Sequence, residues 1–102
     1  MPFENPWIRN FHHEKHKKEF AFATDFQYEA EADKFMAGVP IPPARECHRK
    51  NGDRVRFNRT TKYLAVEAKS GYLKTFHKPS EKYIALGYFS WECGQVRVDD
   101  PI

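Results

Sequence analysis

The segment Gly38-Val39-Pro40-Ile41-Pro42-Pro43 constrains this chain more than any other part of it. Proline fixes φ and supplies no backbone N–H, so neither a helix nor a central strand can run through three of them. The two sides are therefore read separately, and they differ in hydrophobic period: helical before the break, alternating after it.

Upstream, Thr24-Asp25-Phe26-Gln27 fits a capping box, with Thr24 as the cap and Gln27 reaching back. The helix that follows, over about 26–37, places Tyr28, Ala32, Phe35 and Met36 on one face and Glu29, Glu31 and Asp33 largely on the other. Gly38 is its natural left-handed stop. An earlier helix is expected from Phe11 to about Phe22, capped by Asn10. Downstream, Asn51-Gly52 suits the positive φ of a tight hairpin turn between strands Glu46–Lys50 and Arg54–Asn58. In the second of these Val55 and Phe57 point one way, and Arg54, Arg56 and Asn58 the other. Lys62–Ala68, a Ser70-Gly71 turn, Tyr72–Lys78 ended by Pro79, and Ile84–Trp91 complete the expected meander. The expectation is one α+β domain over 1–102, with a helical part at about 10–38 and a sheet part at about 45–92. Its N-terminal helices would pack on one face of an antiparallel sheet of four or five strands.

A length of 102 residues suits a single core, and nine Phe, five Tyr and two Trp supply enough apolar surface to argue against disorder. No run approaches the roughly 18 apolar residues of a membrane span. Met1–Pro6 lacks the basic start and apolar run of a signal peptide, so a soluble domain is expected. Cys47 and Cys93 make neither a disulfide framework nor a four-ligand zinc site. They could pair if the fold brings their Cα atoms within about 7 Å. The net charge of +3 is unevenly spread: residues 45–82 hold eleven Lys/Arg and four Asp/Glu, a balance of +7, between flanks of −2 each. Such a block either favours a polyanion or is a solvated, Lys-rich strand surface.

Three segments could carry chemistry. His12-His13-Glu14-Lys15-His16-Lys17-Lys18 has two histidines at helical i, i+4 spacing. A metal site would need further ligands, and the flanking lysines repel a cation. Nearby cations instead keep an imidazole neutral and able to accept a proton. Arg49 to Thr60 holds Arg54, Arg56 and Asn58 on one strand face, either as phosphate donors or as an ordinary exposed polar face. Leu73-Lys74-Thr75-Phe76-His77-Lys78-Pro79 puts Thr75 and His77 on one face beside an ammonium.

Taken in order, these segments resemble the C-terminal nuclease domains of colicin D-like and contact-dependent-inhibition bacterial toxins, ribonucleases of the barnase–EndoU–colicin–RelE fold group. The carriers are Lys15-His16-x-x-Glu19-Phe20, Tyr28-Glu29-x-x-Ala32-x-x-Phe35, Asn51-Gly52-Asp53-x-Val55-Arg56-Phe57-Asn58, Gly71-x-Leu73-x-Thr75-Phe76-x-Lys78-Pro79 and Tyr88-Phe89. They span about His12 to Phe89, most of the chain. His77 departs from the aromatic or aliphatic residue usual in relatives, and His12 and His13 are additional.

The resemblance implies a toxin domain that cleaves tRNA by metal-independent transesterification, in the anticodon loop or at the 3′ acceptor end. His16 would take the 2′-OH proton, with Lys15, Arg56 or Lys78 stabilising phosphorane charge, Thr75 bonding a non-bridging oxygen and His77 as candidate acid. Arg54, Asn58, Arg59 and Lys74 would hold substrate. Tyr63, Tyr72 and Tyr83 would stack bases or else pack within the sheet. No cofactor or metal is implied. The implied partners are a cognate immunity protein and, as in some relatives, translation elongation factor Tu. The implied site of action is the cytoplasm of a target bacterium, reached from a secreted or surface-bound toxin. A non-catalytic RNA- or protein-binding module with a basic sheet face is the alternative. A metal-dependent nuclease using the histidine cluster is a third reading.

Overall fold

In the computed structural model the described residues are 3–20 and 24–94. Helix α1, Pro6–His16, is capped by Asn5, whose side chain accepts from the Ile8 N–H, and Pro6 stands in its first turn. The expected cap at Asn10 is therefore corrected by five residues. Asn5-Pro6 joins the best cap type to a residue whose missing N–H costs nothing at a helix start. A single 3-10 turn, Lys17–Glu19, follows His16, and Phe22 lies outside the described residues. Helix α2, Asp25–Met36, starts as expected, with the Thr24 side chain accepting from the Gln27 N–H. Tyr28, Ala32 and Met36 are buried, and Gly38 just beyond the end has φ +66°.

Four strands follow: β1 Ala44–His48, β2 Arg54–Asn58, β3 Leu64–Glu67 and β4 Leu73–His77, paired antiparallel in the order β1-β2-β3-β4. The β1–β2 turn is wider than the tight hairpin expected. His48 pairs with Arg54, which leaves 49–53 as the loop. Gly52 (φ +94°) supplies the one left-handed residue there, while the Asn51 side chain accepts from the Asp53 N–H. A Cβ at Gly52 would also stand 2.8 Å from the Lys69 side chain. Asn51 thus acts through its amide in place of a positive φ.

Both sheet faces are covered. Ala65 and Phe76 face α1 and α2 in a core with Phe3, Phe20, Tyr28, Ala32, Met36 and Leu73, and the Tyr28 hydroxyl donates to the Phe76 carbonyl. Val55, Phe57, Leu64 and Val66 face the opposite way, onto Ile84, Tyr88 and Phe89. The last segment is not the strand expected over Ile84–Trp91. It forms two short helices, α3 Glu81–Ala85 and α4 Tyr88–Cys93, with Ser80 capping the first and Gly87 (φ +86°) between them. Its apolar run resembles a buried strand, yet Ser80 and Gly87 are helix punctuation. The fold is α+β: two N-terminal helices against a four-stranded antiparallel sheet, with short C-terminal helices on the other face. Cys47 of β1 and Cys93 of α4 form a disulfide with Cα atoms 6.0 Å apart, which ties that cover to the sheet edge. Among the described residues no helix is long and apolar enough to cross a membrane.

Candidate active site

Helix α1 packs against α2 and β4, and its spacing decides which histidines reach the edge of the sheet. His12 and His16, one turn apart, share a face. His13 turns the other way, buried at 5.8 Å from the Tyr28 ring. On β4, Thr75 pairs with Val66 and His77 with Leu64, so both continue the sheet face that carries the C-terminal helices. Helix α4 adds Tyr88. These elements enclose a cleft of about 470 Å³ lined by His12, Lys15, His16, Lys74, Thr75, His77 and Tyr88, among others.

Within it the imidazoles lie in one stack. His16 is 6.1 Å from His12 and 5.1 Å from His77, with interplanar angles of 14° and 20°, and Phe3 closes the far end at 5.3 Å from His12. Three rings side by side do not aim at one point, as metal ligands must. Their polar partners differ. His16 Nδ1 is 2.7 Å from Glu19 Oε2, and Glu19 Oε1 accepts from the Lys78 N–H at 2.6 Å. The 3-10 turn thus folds a carboxylate back under the helix end and pins it to the end of β4. A carboxylate on Nδ1 fixes the tautomer, orients the ring and leaves Nε2 as the basic nitrogen. His77 is engaged at both nitrogens, Nδ1 at 3.3 Å from Thr75 Oγ1 and Nε2 at 3.3 Å from the Tyr88 hydroxyl. Burial, reinforced by the charge on His16, lowers both His12 and His77 to about 4. At neutral pH both are neutral.

The cleft floor is a buried ionic network. Arg49 binds the Glu92 carbonyl at 2.8 Å, the Glu92 carboxylate at 3.1 Å and Asp53 at 3.1 Å. Lys74 reaches the same Asp53 oxygen at 3.1 Å. Lys74 is therefore held at the cleft by a carboxylate beneath it, while Lys15 is exposed at the rim.

The other expected site residues lie elsewhere. Arg56 is buried and donates to the carbonyls of Phe35 (3.0 Å), Ala37 (3.2 Å) and Gly38 (2.8 Å), and to Glu46 at 2.9 Å. Arg54 binds the Met36 carbonyl and Glu67, each at 2.9 Å. The expected row of phosphate donors on β2 is thus a cap for the C-terminus of α2. Asn58 holds the β2–β3 turn by accepting from Thr60 and Thr61 N–H at 2.8 and 3.1 Å. Arg59 is exposed beside Phe89, away from the cleft. The Lys78 ammonium lies over the rings of Phe20 and Tyr63, at 5.4 and 5.5 Å, and Tyr63 packs into the first core. Of the ten expected site residues the structure brings together His16, Lys15, Thr75, His77 and Lys74. Glu19 and Tyr88 were not singled out as functional, although the His16-x-x-Glu19 spacing at a helix end carried a signal for the first. No protein-family model and no curated protein matches the sequence.

Proposed function

We propose that this domain is a ribonuclease that cleaves by transesterification, with the RNA's own 2′-OH as nucleophile. The observation that carries this reading is the His16–Glu19 pair inside a cleft that also presents Lys15, Lys74 and Thr75. His16 Nε2 takes the 2′-OH proton as the 2′-oxygen bonds to phosphorus. Lys15 and Lys74 stabilise the charge growing on the phosphorane, and Thr75 donates to a non-bridging oxygen. The P–O5′ bond then breaks, and the 5′-oxygen takes its proton from one of the two ammonium groups. His77, neutral and bonded at both nitrogens, holds Thr75 and Tyr88 in place, so the expected acid role moves to a lysine. The products are a 2′,3′-cyclic phosphate and a 5′-OH.

As in the toxins this chain resembles, the proposed substrate is tRNA, cut where the strand is single. The proposed setting is delivery into a target bacterium, with a cognate immunity protein covering the cleft and elongation factor Tu as a candidate partner. Cleavage of bulk tRNA by the purified chain tests the activity. His16→Ala loses about 10²–10⁴-fold in rate, the usual contribution of a positioned acid–base group. Full activity in that variant contradicts the assignment.

A further inference from the structure

Two aromatic grooves border the cleft, and the chemistry above uses neither. On one side Trp7 (83% exposed), Phe11 (62%) and Tyr72 (41%) surround a groove of about 630 Å³. It shares Phe11, His12 and Lys74 with the cleft. On the other side Tyr83, Leu86, Tyr88 and Trp91 line a groove of about 400 Å³, with Trp91 stacked on Tyr88 at 5.7 Å. Tyr88 belongs to that groove and to the cleft alike. Both tryptophans of the chain therefore stand exposed, one in each groove. Large apolar side chains grouped at a surface mark a site of interaction.

We infer that the cleft is the middle of a single-stranded nucleic-acid track, in which the bases on either side of the bound phosphate stack on Trp7, Phe11 and Tyr72 at one end and on Tyr88 and Trp91 at the other. The inference rests on the ribonuclease reading for what occupies the cleft. The shared walls supply the rest. A strand whose phosphate sits beside Lys15 and Lys74 leaves the cleft across an aromatic surface in both directions. Flat rings flanking cations match a polymer that alternates π-faces with anions. A duplex keeps its bases stacked on one another and cannot use the grooves.

The test is tryptophan fluorescence of the whole chain titrated with a single-stranded 2′-O-methyl oligonucleotide, which lacks the nucleophile and stays intact. Binding quenches the emission. Trp7→Ala and Trp91→Ala each remove part of the quenching and weaken binding by about 5- to 150-fold, the range for one lost base stack. Phenylalanine at either position restores most of the affinity. Inorganic polyphosphate gives no quenching, and the same oligonucleotide as a duplex binds more weakly. Wild-type affinity in both alanine variants, or equal binding of the duplex, overturns the track. Cleavage of RNA with unaltered binding in both variants leaves the ribonuclease and removes the track. Quenching by the oligonucleotide together with no cleavage of unmodified RNA leaves the track and removes the ribonuclease.

Discussion

His12, His16 and His77 lie in one stack, and their partners separate their roles. Only His16 has a carboxylate on Nδ1. In the proposed mechanism Glu19 is a positioning residue: Glu19→Gln keeps a hydrogen-bonding group but loses the carboxylate that orients the ring and fixes its tautomer. The variant is expected to lower kcat by about 10–100-fold with KM little changed. A wild-type kcat in the folded variant would assign Glu19 to structure alone. The neighbouring rings give a second expectation. Unfolded, His12 and His77 protonate near 6.5, whereas in the fold burial holds both at about 4. Between these values the unfolded chain binds more protons. Stability is therefore complete above about pH 6.5 and declines as pH falls toward 4. Urea midpoints across that interval should drop, and His77→Gln should flatten the decline. The shared face of His12 and His16 was legible in the sequence from their i, i+4 spacing. Their stacking with His77, and which ring meets a carboxylate, were not, because those depend on where a 3-10 turn returns Glu19 and on how α1 packs against β4.

At the scale of elements the period was informative wherever one face is buried and the other is wet. Helix α2 follows its sequence pattern for that reason. The same rule misleads on β2, where Arg54, Arg56 and Asn58 alternate with Val55 and Phe57 and read as a solvent face. That face is turned to the C-terminus of α2, whose last carbonyls have no partner within the helix. Arg56 supplies one, and its charge is compensated by Glu46 at 2.8 Å. Arg56→Ala leaves those carbonyls without their donor and takes from Glu46 the nearer of its two arginines, Arg54 remaining at 3.5 Å, and is expected to cost about 3 kcal/mol. Calorimetry or urea unfolding measures the loss, while cleavage per folded molecule stays as in the wild type. Equal stability with lost cleavage would return Arg56 to the catalytic machinery. The C-terminal helices were not legible, because a short apolar run fits a buried strand as well as a helix until its caps are weighed.

For the whole molecule, four of the eleven basic residues between 45 and 82 belong to an ionic lattice within the fold rather than to one charged face. Arg49, Arg54, Arg56 and Lys74 all pair with carboxylates of the protein. The cationic character of the cleft instead combines Lys15 from the acidic N-terminal part with Lys74 from β4, a pairing invisible in a running charge count. The Cys47–Cys93 bridge holds α4, and with it Tyr88 and Glu92, against the sheet that forms this cleft. Closing a loop across 46 positions contributes about 2–4 kcal/mol. The double variant Cys47→Ser/Cys93→Ser should lose that amount in urea unfolding, and an unchanged midpoint would show that the bridge does not restrain the chain. The most direct measurement of the central claim is end-group analysis of tRNA cut by the purified domain in EDTA. The account predicts 2′,3′-cyclic phosphate and 5′-OH ends, absent with His16→Ala. Ends bearing 5′-phosphate, or cleavage that stops in EDTA, would contradict it.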